Sequence, residues 1–325
     1  MDDIYFKKAK KYKYKYLKLK EELFGGEKNK KNSCKYTLFK KKKANCDRII
    51  YKTNNKIKFL EYNVVDSDIY EILKLSDHKM IYGIFEYNNK KYMILSWNMS
   101  NFDVKLNEDK QNYIQNNIKK FIKEFLIKKE FDYLIFSFQE SKKESFFIET
   151  LKNNLKIDFN NNHYYSKPNF LVKDYIVHLL VFSKLNNQIT DFGINNLQTH
   201  YKNKLFDIKQ YIKNFLGTKS YVYIKIDELI IISTHFPIDN RKKKDLGNEL
   251  RISAFNKIKD NFKNNDNVVI IGDLNFRKNK SKDQLTELLI NHQEYKEPLP
   301  ELTIETCKYN KCKLECIEGR CILTN

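Results

Sequence analysis

The sequence predicts an α/β chain, and three observations carry that prediction. Short, mostly apolar runs rich in β-branched and aromatic residues recur at Tyr92–Trp97, Tyr133–Phe138, Ile176–Lys184, Leu229–Thr234 and Val268–Ile271. Runs of this kind read as buried strands. Longer stretches with helical periodicity lie between them, at Gln111–Lys129 and Leu246–Phe262. Polar residues able to do chemistry follow the strand ends: Asn98, Gln139-Glu140, His235 and Asp273.

The central stretch is Asn267–Lys278, NVVIIGDLNFRK. Val268–Ile271 reads as a buried strand that Gly272 breaks. Asp273, Asn275 and Arg277 then follow at a spacing of two. On an extended backbone their side chains leave on the same side. A carboxylate, an amide and a guanidinium would share one small space: one to hold a metal or orient water, one to fix a nucleophile, one to bind phosphate bidentately. The plainer reading is a strand ending in a polar turn.

The whole chain bounds the choice. Its 325 residues suffice for one large domain or two small ones, and 41% hydrophobic with 14% aromatic residues can fill a core. The formal net charge of +20 favours polyanionic partners: nucleic acid, an acidic membrane, or highly phosphorylated small molecules. No run reaches transmembrane length and no secretory signal is evident. The expected setting is intracellular, soluble or peripherally membrane-associated. Six cysteines, Cys34, Cys46, Cys307, Cys312, Cys316 and Cys321, all lie near the two ends. In a reducing compartment they favour free thiols or a metal over disulfides, and together they offer a structural Zn2+ site, although without zinc-finger spacing.

Residues 1–33 are an N-terminal appendage. Tyr5, Ala9, Tyr12, Tyr16, Leu19 and Leu23 alternate at four and three, as in a short basic amphipathic helix ended by Gly25-Gly26. It suits an acidic membrane or partner, or is a solvated tail. The opening resembles those common among proteins of giant DNA viruses.

GDLNFR, Gly272–Arg277, resembles a signature of the inositol polyphosphate 5-phosphatases, within the endonuclease/exonuclease/phosphatase superfamily. Further matches follow. Cys46-Asp47-Arg48-Ile49-Ile50 and Ser76-Asp77-His78-Lys79 resemble that family's last two signatures, and Thr306-Cys307-Lys308-Tyr309 its substrate-facing Pro-Thr-Tyr-Lys-Tyr segment. Asn98, Gln139-Glu140 and His235 match earlier ones. The order is cyclically shifted: the family's C-terminal part corresponds to residues 34–87, and its N-terminal and central part to 88–325. This implies a circularly permuted catalytic domain spanning 34–325. The join would be a hairpin at Asn88-Asn89, between the strand-like Lys79–Tyr87 and Tyr92–Trp97. Three departures are Asn45 for Trp, Met80 for Pro, and Gly217-Thr218-Lys219-Ser220 for Gly-Asn-Lys-Gly.

The resemblance implies a DNase I-like, four-layer α/β sandwich of two mixed sheets flanked by helices. It also implies a Mg2+ phosphatase. On that resemblance Glu140 would be the main metal ligand, Asn98 would assist at the metal or the phosphate, and Asp77 would either touch the metal or structure its loop. Asp273 orients and deprotonates water, held by Asn275. His78 and His235 donate to the scissile phosphate, and Asp47 orients His78. Arg277, Lys308 and Arg48 bind substrate phosphates. A permuted fold requires Asp47 and His78 to lie beside Glu140 and Asp273. The competing readings are a Mg2+-dependent nuclease of the same superfamily, and a catalytically inactive protein that binds phosphoinositides or membranes.

Overall fold

The computed structural model describes residues 46–52, 56–100, 102, 107–156, 158–166, 176–185, 189–197, 219–237, 244–276, 278–279, 282–298, 313–317 and 320–324. The N-terminal appendage, Arg277, Lys308, Cys34, Cys307 and Cys312 lie outside them.

Eleven strands build two mixed sheets among the described residues. They are β1 (Asp47–Lys52), β2 (Lys58–Val64), β3 (Ile81–Tyr87), β4 (Lys90–Asn98), β5 (Tyr133–Ser141), β6 (Asn160–Tyr165), β7 (Ile176–Ser183), β8 (Ile189–Asn196), β9 (Ser220–Ile226), β10 (Leu229–His235) and β11 (Val268–Asp273). One sheet has the order β2-β3-β4-β5-β7-β6. The other has the order β1-β11-β10-β9-β8, with the two residues Tyr295–Lys296 added beside β1. Each sheet centres on one parallel pair, β4 with β5 and β10 with β11, flanked by antiparallel neighbours.

The central strands are apolar on both faces because both faces are covered. In β11, Val269 and Ile271 face the core between the sheets, while Val268 and Ile270 face the outer helices. In β5, Tyr133 and Ile135 point inward between the sheets, and Leu134, Phe136 and Phe138 point out. This period-2 division explains why the strands read as continuous apolar runs. Helices α1 (Glu108–Phe121) and α2 (Phe146–Leu155) cover the first sheet. Helices α3 (Lys244–Asn261) and α4 (Gln284–Ile290) cover the second. The result is a four-layer α/β sandwich, as the sequence predicts. No helix among the described residues is long and apolar enough to cross a membrane.

Helix starts follow their capping chemistry. Asn107 accepts from the Lys110 amide ahead of α1, Ser145 from Ile148 ahead of α2, and Asp283 from Leu285 and Thr286 ahead of α4. Asn88 and Asn89 join β3 to β4 as a two-residue hairpin turn, both with positive φ (50° and 58°). Asn tolerates that region, which suits it to such turns.

Two expectations are corrected here. Gly272 does not break its strand: β11 runs through it to Asp273. Its φ is +148°, and a Cβ there would lie 1.9 Å from the Thr234 carbonyl oxygen of neighbouring β10. Glycine is needed for close approach of two backbones, not for a stop. Among the described residues, Cys46, Cys316 and Cys321 are not free thiols and are not available to a zinc site. Cys316 and Cys321 form a disulfide, and Cys46 is also disulfide-bonded. The physical reason for the first bond is register: Lys313–Ile317 and Arg320–Thr324 form a hairpin that sets Cys316 opposite Cys321. Sulfurs bonded to one another have no thiolate for zinc.

Gly272→Ala is expected to cost more than about 3 kcal/mol, through both the backbone clash and the φ requirement. Urea unfolding of the two proteins measures it.

Candidate active site

The site forms at the carboxyl ends of the two parallel pairs. In β4 and β5, Asn98 lies opposite Gln139; in β10 and β11, His235 lies opposite Asp273. On the other side of β11, Asp47 of β1 lies opposite Asp273. The two sheets are tied below the rim by buried hydroxyls: Ser137 Oγ lies 2.7 Å from Ser233 Oγ, which donates to the His178 carbonyl. Gln139 Nε2 donates to Ser137 Oγ at 2.6 Å. The apolar core therefore carries a short polar seam that sets the two rims in register.

Asp273 is the hub. It is 2% exposed, and its Oδ2 accepts from Asn98 Nδ2 at 2.9 Å across the sheets. Its Oδ1 accepts from the Asn275 amide at 3.1 Å. His235 Nε2 lies 3.4 Å from Asp273 Oδ2 and 3.6 Å from Glu140 Oε1. Burial disfavours the Asp273 anion, but contact with His235 and the nearby charges of His78 and Lys219 outweigh it. The carboxyl is held well below its usual range.

Asn275 reaches the site by a different route from the one the spacing predicts. Its φ is +54°, so the chain turns after Asp273 rather than staying extended. Its Nδ2 donates to the Phe236 carbonyl at 3.1 Å, and the Cys46 carbonyl accepts from the amides of Leu274 and Asn275. The Asn-specific turn, not a period of two, positions it.

Asp47 and His78 form the second half. His78 Nδ1 and Asp47 Oδ2 are 2.8 Å apart, with Asp47 buried. Burial alone would lower the imidazole, but the Asp47 charge and hydrogen bond exceed it and raise its pKa to about 10. His78 is thus an imidazolium at neutral pH, able to donate from Nε2. Its backbone is held by Trp97, whose Nε1 donates to the His78 carbonyl at 3.0 Å, and by Ser76 Oγ, which accepts from the His78 amide. Asp77 accepts from the Ser100 hydroxyl. Of its two expected roles, that contact serves the loop.

Glu140 occupies a bulge in β5 with φ +52°, where the pairing with β7 shifts between Phe138 and Ser141. A non-glycine residue in that region costs about 1–3 kcal/mol. The bulge turns its carboxylate from the sheet to the rim, where the side chain is 26% exposed.

Arg48 differs from expectation. Its guanidinium grips Glu297 through Nη1 at 2.7 and 2.8 Å and reaches Asp283 through Nη2. Its side chain is 7% exposed. Two partly buried carboxylates pair with it, and it ties β1 to the start of α4. Lys219, given no role from sequence, stands in the site: its Nζ donates to His235 Nε2. Two signals in the sequence mark it: the Lys is kept in the segment Gly217-Thr218-Lys219-Ser220 that otherwise departs from Gly-Asn-Lys-Gly, and it stands immediately before the alternating run Ser220–Ile226.

The structure therefore brings Asp47, His78, Asn98, Glu140, His235, Asp273 and Asn275 to one rim. Asp47, His78 and Asp273 each offer a ligand atom within 4.8 Å of one another. His78 Nδ1 is committed to Asp47, however, which makes the pair a carboxylate–imidazole couple. Oxygen donors suit a hard cation better, and Glu140 is the rim carboxylate with solvent access.

No family model matches the sequence, and no curated protein matches it. Solved structures do. A humanized D. rerio TDP2 is 13% identical over 61% of this chain and 65% of its own, with a TM-score of 0.36. D. rerio TDP2 complexed with single strand DNA product is 12% identical over 60% of this chain and 63% of its own, with a TM-score of 0.38. An endonuclease/exonuclease/phosphatase family protein from Bacteroides thetaiotaomicron is 13% identical over 61% and 68%, with a TM-score of 0.38. The chain spans less than two thirds of the length of the two TDP2 structures.

The raised His78 pKa fixes a pH signature. The folded value lies above the unfolded one, so the stabilisation is complete below about pH 6.5 and is lost as pH rises toward 10. The stability difference between wild type and Asp47→Asn is expected to shrink across that window, at up to about 1.4 kcal/mol per pH unit. Denaturant unfolding at pH 6, 8 and 10 measures it.

Proposed function

We propose that this chain is a Mg2+-dependent phosphoester hydrolase of the endonuclease/exonuclease/phosphatase type, releasing the 5-phosphate of inositol polyphosphates or phosphoinositides. The observation that supports it best is the composite site. Two carboxylate–imidazole groupings, Asp47 with His78 and Asp273 with His235, face one another at a single rim. A module that only binds phosphate has no use for a buried anion beside an oriented imidazolium.

Glu140 would hold Mg2+, with Asn98 beside it. The bound ion would neutralise phosphate charge and activate water. Asp273, ionised and fixed by Asn98 and the Asn275 amide, orients that water. Its low basicity suits positioning more than full proton abstraction. The His78 imidazolium donates to the developing charge on phosphorus oxygens, and Asp47 holds its ring and proton.

The inositol specificity rests on the sequence signatures, as does the circular permutation. On that reading the Asn88-Asn89 turn is the join, and Asp47 and His78 come from what the family carries at its C-terminus. A nuclease of the same superfamily is the second reading, favoured by the net charge of +20.

The deciding assay is Mg2+-dependent phosphate release from phosphoinositides and soluble inositol phosphates, with single- and double-stranded nucleic acid in parallel. Release from the inositol compounds, abolished by chelator and reduced about 10²–10⁴-fold in both His78→Ala and Asp273→Ala, is expected. Cleavage of nucleic acid alone would replace the first reading by the second. Loss only in Asp273→Ala would remove His78 from the mechanism and the permutation with it.

A further inference from the structure

The corner of the site occupied by His235 holds a second charged group, and the donor and acceptor chemistry of the pair is restrictive. An ammonium has three protons and no lone pair, so in its contact with His235 Nε2 it is Lys219 that donates. Nε2 then presents its lone pair to Lys219. A ring in that state offers no proton from Nε2 to a phosphate.

We propose that Lys219, rather than His235, is the donor to the non-bridging oxygens of a bound phosphate at this corner, and that His235 is the residue that positions its ammonium. This rests on the phosphoester-hydrolase reading above and names a contact to its substrate.

Two further observations support it. The Lys219 backbone is anchored: its carbonyl accepts from the Leu197 amide at 3.0 Å, and the next carbonyl, that of Ser220, accepts from Thr234 Oγ1 at 3.1 Å. The ammonium is therefore delivered by the fixed start of β9. Its charge also reaches the hub. His78 from one side and Lys219 from the other both stabilise the Asp273 anion. A phosphate dianion entering between Asp47, Asp273 and Glu140 meets carboxylate repulsion, and these two cations offset it from opposite sides.

The test uses the full chain with inorganic phosphate as the probe, with Mg2+ present and absent, by titration calorimetry. Lys219→Met is expected to weaken phosphate binding about tenfold or more, the scale of one charge-assisted hydrogen bond. Lys219→Arg is expected to restore most of it. His235→Ala removes the holder and weakens binding too, but Lys219→Met/His235→Ala should bind no worse than Lys219→Met alone, because the two act as one unit. Thermal unfolding checks that each variant folds, and Lys219→Gln serves if Lys219→Met does not. Phosphate binding unchanged in Lys219→Met overturns the proposal. So does strict additivity in the double variant, and so does a wild-type protein that binds no phosphate. A wild type that binds phosphate through Lys219 yet hydrolyses no phosphoester sustains this assignment and overturns the catalytic reading instead.

Discussion

The hydrogen bond from Asn98 to Asp273 is buried and crosses between the two sheets. Almost every feature of the site is a condition for it. The buried Ser137–Ser233 contact sets the vertical register of the sheets, Gly272 lets β10 and β11 approach, and the turn at Asn275 caps the same carboxylate from behind. If either sheet slipped by one residue, Asp273 would face a different layer, because side chains alternate faces along a strand. The apolar sandwich thus supplies more than stability. It is a jig that holds opposite rims to within hydrogen-bonding tolerance.

Electrostatic balance is the second constraint. Removing carboxylates from water is costly unless cations or donors compensate. Asp47 has His78; Asp273 has His78, Lys219, Asn98 and a backbone amide. Glu140 remains the carboxylate with partial solvent access, lifted to the rim by a bulge. The same rule explains Arg48. With Glu297 and Asp283 partly buried beside β1, a guanidinium there compensates both.

Much of the fold was legible in the sequence, for a definite reason. Val268–Ile271 and Tyr133–Phe138 are buried on both faces, so they appear as apolar runs that no helical period explains. Edge strands β2, β6 and β8 carry mixed, partly exposed residues and leave no such mark. The candidate site residues were picked out through motif resemblance, and their convergence needed the register of β1 against β11. What spacing could not convey was backbone conformation. Gly272 is a point of close approach, and Asn275 sits in a left-handed turn; neither is visible in an alternation argument. Nor does composition reveal that a hairpin places Cys316 opposite Cys321, or that Lys219 ends at an imidazole.

The tight turn at Asn88-Asn89 carries a consequence for how the molecule assembles. It makes the pairing of β3 with β4 a local event, closed by two residues, so the segment bearing His78 and Asn98 can form with little loss of chain entropy. The contact of Asn98 with Asp273, by contrast, closes a separation of 175 residues. Contacts that distant reward the chain only after both sheets exist. The site as a whole is therefore a property of the completed sandwich, because its two halves meet only through contacts of long sequence separation.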